Sequence, residues 1–252
     1  MSATTDYSAC WASCLGDCAE GMSDEHLISE CLFPSVDIFV QGYSWCKDKP
    51  KAFRVERLVK RILCRSHNGR LSSMEAAAKT SIQTLMESFD LFMTRDALRQ
   101  RRWSIKRFDV DMLMLERLFV KTLINLNHVR GWQVGDDPTH PQTPTRELVE
   151  VVFGLRRFTD AKGLYIAAKA GDNVTPREGA VRFTAVTNSG RLVAGKFLLW
   201  GFPFILSIFP DPIETNDGRY LMRHNVKHGF KTHDDKGREV VSHFVMFNYP
   251  NS

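Results

Sequence analysis

Six cysteines, Cys10, Cys14, Cys18, Cys31, Cys46 and Cys64, fall in the first quarter of a 252-residue chain, and none follows. Thiols gathered so unevenly in a reducing compartment point to metal before disulfides. Cys14-x3-Cys18 offers one pair of soft ligands and Cys64-x2-His67 a second, a Cys3His set suited to a closed tetrahedral Zn2+ site. Cys10-x3-Cys14 has the same spacing and leaves the first pair open between the two choices. Cys31 and Cys46 are expected as buried apolar side chains. A zinc staple makes neighbours of the residues flanking each pair, which are Glu25-His26 after the first and Asn68 beside His67 in the second. A carboxylate and a carboxamide oxygen suit a hard cation such as Mg2+ or Mn2+, and a histidine can deprotonate a water. Together they have the composition of a metal-assisted phosphodiester-cleaving site.

The elements that must hold these side chains are short at first. Residues 1 to about 70 mix Cys, Gly and charge with brief apolar runs, VDIFV and LVKRIL, that can serve as strands. So small and polar a segment has little core, and a metal would compensate. Ser72-x-x-Glu75 has the form of a capping box and predicts a helix over about 73–94, striped by Met74, Ala78, Ile82, Leu85, Phe89 and Phe92. The basic RQRRWSIKRF reads as a strand or extended arm, with Trp103 packing on the second helix. That helix, over about 109–127, takes Asp109 as its cap and is apolar on more than one face, so it is expected between neighbours. After a Gly- and Pro-bearing loop, Thr145 caps a third helix to about 157. From about 163 the period becomes that of strands, separated by turns at Asn188-Ser189-Gly190, Asp217-Gly218 and Asp234-Asp235-Lys236-Gly237, which predicts an antiparallel β-sheet. His224, His228, His233 and His243 have no carboxylate at ligand spacing and read as surface or core side chains.

Two stretches, SCLGDCAEGMSDEHLISECLF and RILCRSHNGRLSSMEAA, resemble the HNH endonucleases with a zinc-stapled ββα-metal core. The family pattern is a Cys pair, Asp/Glu-His at the end of an apolar strand, then Leu-Cys-x2-Cys/His followed by His or Asn at the opening of a helix. The resemblance covers residues 10 to about 78, less than a third of the chain. It implies His26 as general base, Glu25 and Asn68 as ligands of one catalytic divalent ion, and Cys14, Cys18, Cys64 and His67 as zinc ligands. It also implies a DNA duplex lying across the helix, its phosphates gripped by Arg54, Arg57, Arg61, Arg65 and Arg70. Glu25 stands where the family more often has Asp, and His67 where it more often has Cys. The Asn that usually precedes the Leu-Cys, and orients the base, is absent from RVERLVKRILC.

The expected fold class is therefore α+β, with an HNH-like zinc module over 1–78 and a helical plus antiparallel β region over 79–252. With 43% hydrophobic and 25% charged residues the chain is neither disordered nor fibrous by composition. Its net charge of +5 is concentrated: nine Lys/Arg against two acids from Lys47 to Arg70, and six against one from Arg95 to Arg107. Such clusters suit a polyanion. The start of the chain lacks the pattern of a secretory signal, and the longest apolar run, Phe197 to Phe209, is interrupted by Pro203 and falls short of the roughly 20 residues of a membrane helix. A cytoplasmic protein with no membrane partner is expected. The leading reading is a metal-dependent endonuclease acting on double-stranded DNA. The alternatives are a zinc-stabilised module that holds nucleic acid without cutting it, and a structural zinc module whose C-terminal sheet serves protein interaction.

Overall fold

Among the described residues of this α+β chain, three α-helices lie between groups of strands. The computed structural model describes residues 6–33, 35, 37–40, 46, 48–137, 139–159, 161–167, 181–209, 221–222 and 225–249, so the expected turn at Asp217-Gly218 and the residue His224 lie outside the described residues. Among the described residues the elements are β1 (Met22–His26), β2 (Asp37–Val40), β3 (Lys51–Arg54), β4 (Val59–Cys64), α1 (Arg65–Leu98), β5 (Arg107–Asp111), α2 (Met112–Arg130) and α3 (Arg146–Val152). There follow β6 (Gly163–Ala167), β7 (Arg182–Asn188), β8 (Arg191–Leu199), β9 (Phe202–Ser207), β10 (Leu221–Met222), β11 (Val226–His233) and β12 (Glu239–Asn248). No helix among the described residues is long and apolar enough to cross a membrane.

The chain divides into two compact units, Met1–Ala76 with Val120–Arg157, and Ala77–Phe119 with Phe158–Ser252. Residues 120–157 therefore belong with the N-terminal segment, whereas the sequence grouped everything beyond 78 together. The reason is polar as well as apolar: Lys121 and Asn125 of α2 bond to Glu25 of β1, and Trp11 donates to Asn125. In this unit β1 and β4 pair antiparallel, Met22 opposite Cys64 and His26 opposite Val59, and β4 runs directly into α1. A separate hairpin pairs β2 with β3.

α1 begins eight residues before the sequence-predicted start at 73. Ser72 and Glu75 sit inside it, and Glu75 spends its carboxylate on Ser29 and Lys121 rather than on a cap. Of the predicted stripe Met74, Ala78, Ile82, Leu85 and Phe92 are buried and Phe89 is half-buried against Trp200, while Leu71 extends it toward the N-terminus. α2 also starts later than expected. Asp109 lies within β5, paired with Arg107 and Asn248, and Asp111 caps the helix instead, accepting from Leu113 N–H (2.9 Å) and Met114 N–H (3.1 Å). α3 is capped by Thr145 Oγ1, which accepts from Leu148 N–H (3.3 Å). It stops at Val152 rather than 157, because Gly154, with φ of 71°, turns the chain through the left-handed region.

In the second unit five strands form an antiparallel sheet in the order β10-β6-β9-β8-β7. Its turns are those that positive φ permits: Ser189-Gly190 joins β7 to β8 and Trp200-Gly201 joins β8 to β9. A second sheet, β11-β12-β5, is mixed, because β5 joins β12 in parallel. The basic stretch before β5 thus ends in a strand, and Trp103 lies under the Arg95 guanidinium, 5.0 Å from its ring centroid. Phe119 stacks on Phe197 (4.0 Å between centroids) and Phe202 meets Phe230 and Phe247 edge-on, giving this unit an aromatic core. His243 is buried within it, hydrogen-bonded to Ser88 and Ser242, and His228 is buried beside Phe247.

Candidate metal centre

The segment ahead of β1 is shaped to bring thiols back to the end of β4. Trp11 N–H donates to Ile62 O (3.0 Å), which lays the segment along β4, and Cys10 N–H closes a turn on Tyr7 O (2.9 Å). A 3₁₀ turn, Ser13–Leu15, then ends at Gly16, whose φ of 83° reverses the chain. Cys14, inside that turn, faces solvent, while Cys10 and Cys64 are buried and Cys18 is half-buried.

Cys10, Cys18, Cys64 and His67 form one cluster, all four ligand atoms lying within 4.8 Å of one another. From His67 Nδ1 the sulfurs of Cys64, Cys10 and Cys18 stand at 3.2, 3.4 and 3.7 Å. A tetrahedral zinc with Zn–S of about 2.3 Å and Zn–N of about 2.05 Å has S···N edges of about 3.6 Å. The observed edges bracket that value, so the donor set fits a closed zinc site. The expected ligand Cys14 is thereby corrected: Cys10 takes its place, because a spacing of eight residues lets the chain loop around Gly16 and return.

The surroundings suit thiolates that share a cation. Backbone N–H groups of Cys64 and His67 donate to the sulfurs of Cys10 and Cys64, each at 3.4 Å. Without a cation, burial and the neighbouring thiols Cys10 and Cys64 push the Cys18 thiol up to about 12, and burial raises Cys10 as well. A zinc ion would supply the positive charge that lets all three ionise.

His67 is fully buried, its ring edge-on to Phe153 at 5.4 Å. Its Nε2–H donates to Asp17 Oδ1 at 2.6 Å, which fixes Nδ1 as the nitrogen facing the sulfurs. Arg70 donates to Asp17 Oδ2 at 2.5 Å and lays its guanidinium 4.9 Å from the centre of the Phe153 ring. Burial opposes ionisation of Asp17, but its bond to His67 and the charge of Arg70 hold its carboxyl below the usual range. Asp17 was not singled out in the sequence, where its only signal is its place directly before Cys18.

The residues expected to bind a second, catalytic ion are dispersed. Successive side chains of a strand point to opposite faces, so on β1 Glu25 turns inward, 3% exposed, while His26 turns outward, 35% exposed. Glu25 Oε1 accepts from Lys121 and from Asn125 Nδ2 (3.2 Å). Lys121, itself 1% exposed, also donates to Glu75 Oε1 (2.6 Å) and Ser29 Oγ (3.2 Å). Burial raises Glu25 above the usual carboxylate range against the pull of Lys121. Burial also works against the Lys121 ammonium, but the two carboxylates outweigh it and leave its pKa raised. Asn68, in the first turn of α1, turns its Nδ2 to Ser23 Oγ (3.2 Å) and Asp24 O (3.3 Å). Glu25 is thus taken up by an ammonium and does not fit a divalent ion; among the described residues no second group of three or more His, Cys, Asp or Glu gathers at ligand distance. His26 Nε2 lies 2.9 Å from Glu30 Oε1.

The five arginines assigned to phosphates divide. Arg70 belongs to the metal centre through Asp17, and Arg54 pairs with Glu56 at 3.2 Å. Arg61 lies 3.4 Å from Asp24, while Arg57 and Arg65 are exposed and make no ion pair among the described residues. Comparison with known proteins finds no matching family model, no matching curated protein and no matching solved structure.

Proposed function

We propose that β1, β4 and the start of α1 form a zinc-stapled ββα-metal core and that the chain is an HNH-type endonuclease hydrolysing phosphodiester bonds of double-stranded DNA. One observation carries the reading: an antiparallel β1–β4 pair feeds straight into α1, a Cys3His cluster closes its base, and His26 stands outward at the end of β1. In this reading zinc holds the fold, and His26 takes a proton from the water that attacks phosphorus. Arg57, Arg61 and Arg65, all exposed, supply the charge for a phosphate backbone. The test is nicking of supercoiled plasmid with Mg2+ or Mn2+ added. The expected result is cleavage that drops by about 10²–10⁴-fold in His26→Ala, and equal activity in the two proteins overturns the assignment.

The pairing of Glu25 with Lys121 favours a second reading, a module that holds nucleic acid without cutting it. It predicts no cleavage with any divalent ion, together with salt-sensitive binding that weakens when Arg57, Arg61 or Arg65 is replaced by Ala.

A further inference from the structure

The family that the sequence resembles orients its base histidine with an asparagine from the second strand, and this chain has none. Across the β1–β4 pair, His26 faces Val59, whose side chain forms no hydrogen bond, so β4 offers no polar group at that position. The imidazole is met from its own segment instead. Leu27 N–H donates to Leu58 O (2.7 Å) as β1 ends, and Ser29 then opens a 3₁₀ turn, Glu30–Leu32. That turn is fastened from below: Ser29 Oγ donates to Glu75 Oε1 (2.5 Å) and accepts from Lys121 Nζ (3.2 Å), and Leu32 is buried. At His26 itself, the backbone carbonyl accepts from Asn125 Nδ2 (2.8 Å). Backbone on both sides of the Glu30–His26 contact is therefore held, and Glu30 Oε1 reaches His26 Nε2 at 2.9 Å.

We propose that Glu30 is the positioning residue for His26 in the phosphodiester-hydrolysing reading given above, on which the inference rests. A half-exposed pair of this kind adds little to stability, but it decides which ring nitrogen carries the proton. With Nε2–H donating to the Glu30 carboxylate, Nδ1 keeps its lone pair and faces away from the carboxylate. As a water oxygen forms its bond to phosphorus, the water proton passes to His26 Nδ1. The P–O bond to the leaving oxygen breaks, that oxygen keeping the electron pair and taking a proton from solvent. The Glu30 carboxylate keeps its bond to Nε2–H and stabilises the imidazolium that forms, and the proton later leaves Nδ1 to water.

The experiment uses the full chain labelled with 15N-histidine. Long-range 15N–1H spectra report the His26 tautomer, and plasmid nicking is measured in parallel. The wild type is expected as the Nε2–H form. Glu30→Ala should give a mixture of tautomers and slow nicking about 10–100-fold, part of what a positioned base supplies. Glu30→Gln, whose amide oxygen accepts the same hydrogen bond, should restore the tautomer and most of the rate. An Nδ1–H wild type, or a Glu30→Ala variant with unchanged tautomer and rate, overturns the proposal. The tautomer needs no turnover to be seen. A wild type that never nicks DNA, yet loses its Nε2–H form in Glu30→Ala, refutes the nuclease reading and upholds the pairing.

Discussion

Replacing Lys121 by Met removes an ammonium that two carboxylates share, at nearly constant side-chain volume. Glu25, 3% exposed, is then left with Asn125 as its hydrogen-bond donor and without the Lys121 charge, and Glu75 keeps Ser29 but loses its ion pair. Breaking a buried pair by deleting one partner costs about 3–5 kcal/mol, because the remaining charge stays desolvated. At about 2.1 cal/mol/K per residue over 252 residues, that loss lowers Tm by roughly 6–9 °C for a cooperative transition. The pH dependence follows from the direction of the Glu25 shift. Its folded pKa is already raised above 4.5, and removal of Lys121 raises it further, so in the variant folding takes up a proton over a wider range above 4.5. The variant's stability should therefore rise as pH falls toward 4.5, narrowing its deficit against wild type, which is largest near neutrality. Differential scanning calorimetry from pH 4.5 to 7.5 measures this, with Glu25→Gln/Lys121→Met as the control expected to recover most of the loss at pH 7. A deficit below about 1 kcal/mol at pH 7, or one that does not shrink in acid, refutes the account of Glu25 as a buried partner of Lys121.

The metal centre makes its own predictions. Purified protein should hold one zinc per chain by elemental analysis; Cys14→Ala should keep it, and Cys10→Ala and Cys64→Ala should lose it. Asp17→Ala should weaken zinc about 10–100-fold in competition with a chromogenic chelator, since the bond that orients His67 is gone. Burial pushes His128 and His243 down to about 4, with Lys60 adding to the first and Arg95 and Lys106 to the second. Both stay neutral in the fold, so the stability they lend is present above 6.5 and is lost as pH falls from there through about 4. In urea titrations the slope over that range should flatten in His243→Gln.

What the sequence disclosed, and what it hid, follows the range of the interactions. The stripe of α1, the cap at Thr145 and the turn at Ser189-Gly190 are local matters of spacing and allowed φ, and they are legible in a few residues. The starts of α1 and α2 were misplaced because the Ser72-x-x-Glu75 box and Asp109 have the form of caps without serving as caps; the starts are set by Cys64 and His67, which must come together, and by the pairing of β5 with β12. A parallel partner more than a hundred residues away leaves no mark in the period of either strand. At the metal centre Cys64 and His67 were readable from spacing, but the first pair was not: both three-residue spacings on offer contain Cys14, whereas Cys10 and Cys18 have seven residues between them and are brought together by the turn at Gly16 and the Trp11 tether. Lys121 was hidden most completely. Its helix reads as apolar on more than one face, and nothing near it in sequence announces the carboxylates it will meet.

The first unit is assembled from two separated stretches of chain, and this gives its folding an order in time. By the time residue 76 has been made, all four members of the Cys3His cluster and the paired strands β1 and β4 exist in one contiguous segment. The ammonium that neutralises Glu25 lies 45 residues further on. At about 5–20 residues per second, synthesis leaves a metal-competent but charge-imbalanced intermediate for roughly 2–9 s. During that interval the Cys3His cluster and a few hydrogen bonds, such as those of Asn68 to Ser23 and Asp24, are what tie the paired strands to α1. A fragment ended at residue 78 would remain in that state permanently, which makes the boundary suggested by the motif a poor place to cut the protein.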